Sequence, residues 1–282
     1  MLIFKTKEKL INHLTLLKAK NLSVGFVPTM GALHLGHLSL IKTSKENNDV
    51  TVASIFVNPT QFDNKKDLIN YPLTIDKDIK LLQNEHCDIL FLPPVSEMYD
   101  QSVSAQKFDF DGLEFEMEGK HRAGHFDGVG TIVKSFFDII KPHNAYFGEK
   151  DFQQLQIVKK MVEKHNISVQ VHGCPIYREQ DGLAMSSRNT RLTFDQRQCA
   201  PFIHATLQKA AKLFEKSTID DVVKWVENEF EQNAILALEY FTVADVVTLR
   251  TASKKETGKT YRGFIAAFAG EIRLIDNIEL NT

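Results

Sequence analysis

The sequence predicts an α/β fold: a parallel sheet flanked by helices, followed by a smaller C-terminal α+β domain. Three observations predict it. Short β-branched and aromatic runs alternate with amphipathic stretches through the first part of the 282 residues. Such alternation implies βαβ units and a sheet covered on both faces. Several of the apolar runs empty into turns carrying Gly, His, Asn or Gln. After Pro175 the texture changes to paired helical stretches followed by strand-like runs with polar breaks.

Taken in order, Lys7–Ala19 carries apolar residues at helical spacing, and Val24–Pro28 is an apolar strand. Leu38–Asn47 returns as a helix, and Thr51–Val57 is a strand that ends at Asn58-Pro59. Ile75–Asn84 is helical and Ile89–Leu92 a short strand. Val129–Ile140 is the next helix, and the strands Ala145–Gly148 and Ser168–Val171 bracket the helix Phe152–His165. Beyond a hinge near Tyr177, Pro201–Lys216 and Ile219–Gln232 are helical, and Phe241–Val247 and Gly263–Asp276 are strand-like. Right-handed crossovers would line the strand C-termini along one edge, where open α/β sheets bind ligands.

Composition narrows the class of protein. With 43% hydrophobic and 25% charged residues the chain is globular, and its net charge of −2 lacks the basic field of a nucleic-acid binder. Cys87, Cys174 and Cys199 are few, scattered and odd in number, as in a reduced compartment rather than a disulfide or zinc framework. The N-terminus lacks the unbroken apolar run of a signal peptide, and no stretch is long and apolar enough to span a bilayer. A cytoplasmic protein is expected.

The first strand ends in Thr29-Met30-Gly31-Ala32-Leu33-His34-Leu35-Gly36-His37. A helix start leaves backbone N–H groups unpaired and a partial positive charge, which suits phosphate. His34 and His37 add donors that can carry charge. The second strand runs into Asn58 and Gln61. A third runs through Gly148-Glu149-Lys150-Asp151 into a helix bearing Gln154, and the helix dipole disfavours a first-turn lysine unless an anion is bound. Asp181-Gly182-Leu183-Ala184-Met185-Ser186-Ser187-Arg188-Asn189 sets two hydroxyls and a guanidinium beside a turn. Singly, each has a structural explanation as a cap, a turn former or a polar loop. Together they supply the amides, His, Lys, Ser and Arg that suit a polyphosphate and its developing charge. There is no P-loop, no dinucleotide G-x-G-x-x-G after the first strand, no H-E-x-x-H and no G-x-S-x-G.

His34-Leu35-Gly36-His37 resembles the HIGH signature of the nucleotidyltransferase superfamily, and Met185-Ser186-Ser187-Arg188 resembles its KMSKS-type partner loop. More narrowly, PTMGALHLGH, FVNPTQF, Arg122–Val129, YFGEKDFQQL, DGLAMSSRN and Arg273-Leu274-Ile275-Asp276-Asn277 resemble the pantothenate synthetase (pantoate–β-alanine ligase) family, in family order across nearly the whole chain. The chain departs from that pattern at Asp63, Leu73, Ala123 and Tyr177.

The resemblance implies a Rossmann-like domain over residues 1–176 that binds ATP and pantoate, and a C-terminal lid over 177–282 that carries the MSSR loop. It implies a carbon–nitrogen ligase of pantothenate biosynthesis, working through pantoyl adenylate and releasing AMP and diphosphate. His37, His34 and Lys150 are then catalytic, with His37 best placed to donate in the transition state. Met30 through Gly36 (Met30, Gly31, Ala32, Leu33, His34, Leu35, Gly36) shape the nucleotide cradle. Gly148, Glu149, Lys150 and Asp151 lie along ribose and phosphates, with Tyr177 facing adenine. Met185, Ser186, Ser187 and Arg188 close over the phosphates. Gln61 and Gln154 bind pantoate, Gln61 also β-alanine, and Asn58 joins the substrate site.

Mg²⁺ arrives with ATP, held mainly by phosphates and water, with Asp78 a candidate outer-shell helper; no prosthetic group is expected. Arg122 and His125 are expected to help gate the site, and the family is homodimeric. Two rivals are a nucleotidyltransferase with another small-molecule acceptor and a synthetase-like nucleic-acid binder, the latter disfavoured by charge.

Overall fold

A computed structural model describes residues 1–62, 65–99 and 102–281; the Asp63 departure lies outside them. The chain divides into two compact units, Met1–Glu149 with Gln153–Pro175, and Lys150–Phe152 with Ile176–Thr282. The division falls after Pro175, and the second unit also takes the three residues around Lys150, which the linear reading left in the first domain.

The first unit runs β1 (Leu2–Phe4), α1 (Lys7–Lys18), β2 (Val24–Thr29), α2 (Leu35–Asn47), β3 (Val50–Ile55), α3 (Lys65–Ile69), α4 (Ile75–Asn84) and β4 (Ile89–Phe91). It continues through α5 (Val95–Met98), α6 (Met117–His121), α7 (His125–Ile140), β5 (Asn144–Gly148), α8 (Phe152–Lys164) and β6 (Gln170–Cys174). Among the described residues its strands form one six-stranded parallel sheet in the order β1-β4-β3-β2-β5-β6.

β1 has no counterpart in the sequence reading. Three residues are too few for alternation to register, and this edge strand leaves Leu2 and Ile3 exposed. β2 lies between β3 and β5, and the order reverses there, so the exits of β2 and β5 flank a topological switch point. Ligands of open α/β sheets bind at such a crevice.

The pleat of β2 divides its side chains between two layers. Phe26 faces α7, its ring 5.5 Å from Phe136 and 6.4 Å from Phe137. Val27 faces the opposite layer with Ile41 of α2, Leu82 of α4 and Leu90 of β4. Each such fully buried side chain contributes roughly 1.5–3 kcal/mol. Two helices begin earlier than their apolar periodicity, α2 at Leu35 and α7 at His125. Their first turns are polar and glycine-bearing, and it is the residue before each that starts the helix: His34 as cap, and Gly124 at φ +76°.

The second unit holds α9 (Phe194–Cys199), α10 (Phe202–Phe214), α11 (Ile219–Glu231), β7 (Leu236–Asp245), β8 (Tyr261–Ala269) and β9 (Ile272–Leu280). The strands form an antiparallel sheet, β7-β8-β9, with Leu207, Phe214, Val222, Val226, Phe241 and Ile265 in its core. Gly263–Asp276 is thus two strands of a hairpin, broken at Gly270, whose φ is +59°. Thr218 opens α11 with a reciprocal capping box to Asp221. No helix among the described residues is long and apolar enough to cross a membrane.

Candidate active site

β2 delivers the chain into a turn that a distant carboxylate holds. Gly31 and Ala32 have φ of +85° and +49°, left-handed values that a non-glycine residue adopts only with strain. Asp78, fully buried in the first turn of α4, offsets that strain. Its Oδ2 accepts from the Ala32 N–H at 2.9 Å, and its Oδ1 accepts from the Leu33 N–H at 2.8 Å and the Thr74 hydroxyl at 3.0 Å.

With three donors on two oxygens, Asp78 anchors the turn. Among the described residues no group of three or more His, Cys, Asp or Glu side chains could hold a metal ion. The amides of Ala32 and Leu33 are engaged by this carboxylate.

The two histidines cap α2 reciprocally. The Gly36 N–H donates to His34 Nδ1 at 3.2 Å, and the His34 N–H donates to His37 Nδ1 at 3.4 Å. The ring centroids lie 4.0 Å apart. A ring nitrogen that accepts carries no proton, so each neutral imidazole is protonated at Nε2. The cap therefore sets the tautomer of each neutral ring.

The exit of β3 is braced from several sides. Asn58 is buried, and its amide nitrogen donates to Gln61 Oε1 at 3.2 Å and to the Gly128 carbonyl at 3.1 Å. Its oxygen accepts from the hydroxyls of Tyr99 at 2.5 Å and Thr60 at 3.1 Å. Burial raises the Tyr99 hydroxyl's pKa, against the pull of its bonds to Thr60 and Asn58, so Tyr99 stays a donor. Asn58 thus contacts Gln61 directly, and both of its amide atoms are engaged.

Gln61 Nε2 lies 3.0 Å from Met30 Sδ, which brings the β2 and β3 motifs together. The backbone carbonyl of Gln61 accepts from His125 Nδ1 at 2.8 Å and Arg122 Nη2 at 3.4 Å. The contacts of Arg122 and His125 thus tie the segment expected to gate the site to the backbone of Gln61. α7 comes so close that a Cβ on Gly128 would fall 2.3 Å from the Thr60 carbonyl oxygen.

Gly148 ends β5, and a Cβ built on it would meet nothing within 4 Å. Neither a positive φ nor a close neighbour calls for glycine there, which leaves room for a ligand against the strand end. Glu149 follows Gly148, and Gln154 is half-buried in the first turn of α8. The neighbouring Gln153 is structural: it holds the Glu118 N–H and the carbonyls of Leu113 and Glu116.

In the second unit, a hairpin leads into the serine loop. The Met185 N–H donates to the Tyr177 carbonyl at 3.0 Å, Arg178 bridges Ala184, and Gly182 makes the turn at φ +93°. Ser186 then caps a short 3-10 helix, Ser187–Arg191, its hydroxyl accepting from the Arg188 N–H at 3.3 Å. Asn189 ties this helix back to the hairpin through Glu179 at 3.0 Å and the Ala184 carbonyl at 3.1 Å. Lys150 belongs to the same unit; its Nζ lies 3.7 Å from Asp151 Oδ1, and its carbonyl accepts from Asn277 Nδ2 at 3.0 Å. Sequence reasoning missed Tyr99, Gly128 and the anchoring role of Asp78, because their partners lie about 40 to 70 positions away.

A parallel sheet with a histidine-capped helix start at its switch point, and a separate Ser-Ser-Arg loop, is the arrangement of the HIGH-type class that the motifs resemble. A family model described as pantoate-beta-alanine ligase matches residues 2–279, and the chain belongs to that family. Pantothenate synthetase of Christiangramia forsetii is 53% identical over the full length of both chains. That of Flavobacterium psychrophilum is 52% identical, covering 99% of this chain and 100% of its own. Among solved structures, pantothenate synthetase from Thermus thermophilus matches with a TM-score of 0.91 and 37% identity over all of both chains. Pantoate-beta-alanine ligase from Francisella tularensis, complexed with Beta-gamma ATP and beta-alanine, matches with a TM-score of 0.82 and 34% identity over 99% of this chain and 97% of that one.

Proposed function

We propose that this chain is a pantoate–β-alanine ligase that makes pantothenate in two steps. A carboxylate oxygen of pantoate bonds to the α-phosphorus of ATP as the α–β phosphoanhydride bond breaks, giving pantoyl adenylate and diphosphate. The amine nitrogen of β-alanine then bonds to the acyl carbon as the carbon–oxygen bond of the acyl–phosphate anhydride breaks, giving pantothenate and AMP, and the amine gives up a proton. The observation that carries this reading is the family match across residues 2–279, with the histidine pair and the Ser-Ser-Arg loop both present.

Charge develops on the phosphate oxygens in the first step, so positioned donors supply most of the catalysis. His34 and His37 present Nε2–H to the phosphates, Lys150 counters charge on the α-phosphate and acyl oxygen, and Met185, Ser186, Ser187 and Arg188 close over the nucleotide as a mobile lid. Gly148, Glu149 and Asp151 line the ribose, and Tyr177 lies at the adenine. Gln61 binds pantoate and β-alanine, Gln154 binds pantoate, and Asn58 holds Gln61 in place. Mg²⁺ enters as part of the substrate MgATP, coordinated by phosphates and water, as its reluctance to dehydrate favours. The enzyme is assigned to the cytoplasm as a homodimer, which light scattering on the purified chain checks.

The decisive assay is exchange of labelled diphosphate into ATP. Exchange that requires pantoate, followed by AMP release when β-alanine is added, supports the mechanism. Formation of ADP overturns it.

A further inference from the structure

We propose that Asp276 and Asn277, adjacent on β9, are a positioning pair for the phosphate chemistry. Asp276 sets the hairpin that leads into Met185–Arg188, and Asn277 sets the backbone of Lys150. This rests on the reading that Lys150 and the Ser-Ser-Arg loop act on ATP. Successive strand residues point to opposite faces, so one dipeptide can brace two segments that are remote in sequence.

Both side chains are buried. Asp276 takes Arg178 in a two-point pair, Oδ2 with Nη1 at 2.6 Å and Oδ1 with Nη2 at 2.9 Å. The same guanidinium donates to the Gly182 carbonyl at 3.1 Å, so the hairpin turn is held along with its first strand. A planar fork on a carboxylate fixes orientation as well as distance.

Asn277 is fixed in turn, since its N–H donates to Asp276 Oδ1 at 2.8 Å and its Oδ1 accepts from Arg262 Nη1 at 2.5 Å. That orients Nδ2 toward the Lys150 carbonyl, 3.0 Å away and 127 positions distant in sequence. Arg262 also lies over the Phe152 ring, 4.2 Å from its centroid, so the segment Lys150–Phe152 is gripped at both ends. These contacts are consistent with Lys150–Phe152 belonging to the unit that carries the serine loop, although the chain before Lys150 and after Phe152 belongs to the other unit.

The test compares the full-length enzyme with Asn277→Asp, Lys150→Ala and the double variant, measuring pantoate-dependent diphosphate exchange and thermal melting. Asn277→Asp keeps the acceptor for Arg262 but turns a second oxygen toward the Lys150 carbonyl. The expected result is a kcat lower by roughly 10- to 100-fold, since displacing a reacting group by about 1 Å costs that order of rate. The pantoate KM stays within about twofold; melting falls, because a buried carboxylate oxygen then faces a carbonyl, so kcat is compared at a temperature at which every variant is folded. Within the double variant the Asn277 change adds little to Lys150→Ala, because both act through one group.

Parental kcat in Asn277→Asp, or full additivity with Lys150→Ala, overturns the proposal while leaving the ligase reading intact. Parental exchange in Lys150→Ala overturns the assignment of Lys150, and the positioning role falls with it. Should Asn277→Asp fail to fold, Arg178→Lys carries the test. It keeps the charge facing Asp276 and loses the two-point geometry; a lower kcat at parental melting temperature supports the pair, and an unchanged kcat refutes it.

Discussion

The carboxylate of Asp78 holds the backbone N–H of Ala32 at 2.9 Å across 46 positions of sequence, and Ala32 is in a left-handed conformation. The bond keeps a strained residue in the turn that presents His34. Asn in place of Asp78 would turn an NH2 group toward one of the three donors now accepted there. Asp78→Asn should therefore lose about 1–3 kcal/mol of stability, the usual cost of stranding a buried donor. Urea denaturation reads that loss, and the adenylation rate should fall with it. The Mg²⁺ concentration for half-maximal rate should not move. A shift in that concentration at unchanged stability would support Asp78 as a metal helper instead.

Gly128 reports on the other motif. An alanine here gains intrinsic helix propensity of about 1 kcal/mol. Its Cβ, however, would lie 2.3 Å from the Thr60 carbonyl oxygen and 2.7 Å from Gln61 Cα, and backbone cannot yield as a side-chain tip can. Overpacking costs about 1–3 kcal/mol, so the net sign is destabilising. The segment that must move carries Gln61, so Gly128→Ala should raise KM for pantoate and β-alanine by several-fold while leaving that for ATP close to parental. Steady-state kinetics with each substrate varied in turn decides it; equal effects on all three would place the damage elsewhere.

Much of this was readable in the chain because the chemistry is local there. His34 and His37 sit within one helical turn, and Ser186 to Arg188 are consecutive, so both motifs survive in a linear reading. Residues that act across long separations did not. Asp78 looks like an ordinary acidic residue in a helix's first turn, and nothing near it in sequence names Ala32 as its partner. Lys150 reads as part of the first domain because its neighbours are, whereas Asn277 and the Arg262–Phe152 contact place it in the second unit. The β8–β9 hairpin was read as one run because apolar residues continue on both sides of Gly270, and only the positive φ there marks the reversal.

The thiols give a check that needs no substrate. Burial pushes the Cys87 thiol up to about 12, and burial also raises Cys174. A thiol of that kind holds almost no nucleophilic thiolate near neutrality. Cys199 is only partly buried. Pulse alkylation at pH 8 followed by mass spectrometry should label Cys199 first, and Cys87 only when the first unit unfolds. Early labelling of Cys87 in the native protein would contradict the packing of the β3–β4 region.

His204 links the Asp276 cluster to acid stability. Its Nδ1 lies 3.8 Å from Asp276 Oδ2, a contact that favours the protonated ring. Burial and the Arg178 cation oppose this and prevail, so its pKa lies below the ordinary 6.5. The folded state thus prefers neutral His204, while the unfolded chain takes up a proton near the ordinary value. Between the two pKa values the unfolded state binds more protons, so stability rises with pH in that window. The contribution is complete above about 6.5, falls away as pH drops toward the folded pKa, and is flat below it. His172, also lowered by burial and by Lys159, acts in the same direction from the first unit. Melting temperature should therefore decline as pH is lowered from 7 to 5, and His204→Gln should make that decline shallower without abolishing it. A His204→Gln profile parallel to the parent's would mean that His204 keeps its ordinary pKa in the folded state, and a steeper decline would mean that Asp276 prevails over burial and Arg178.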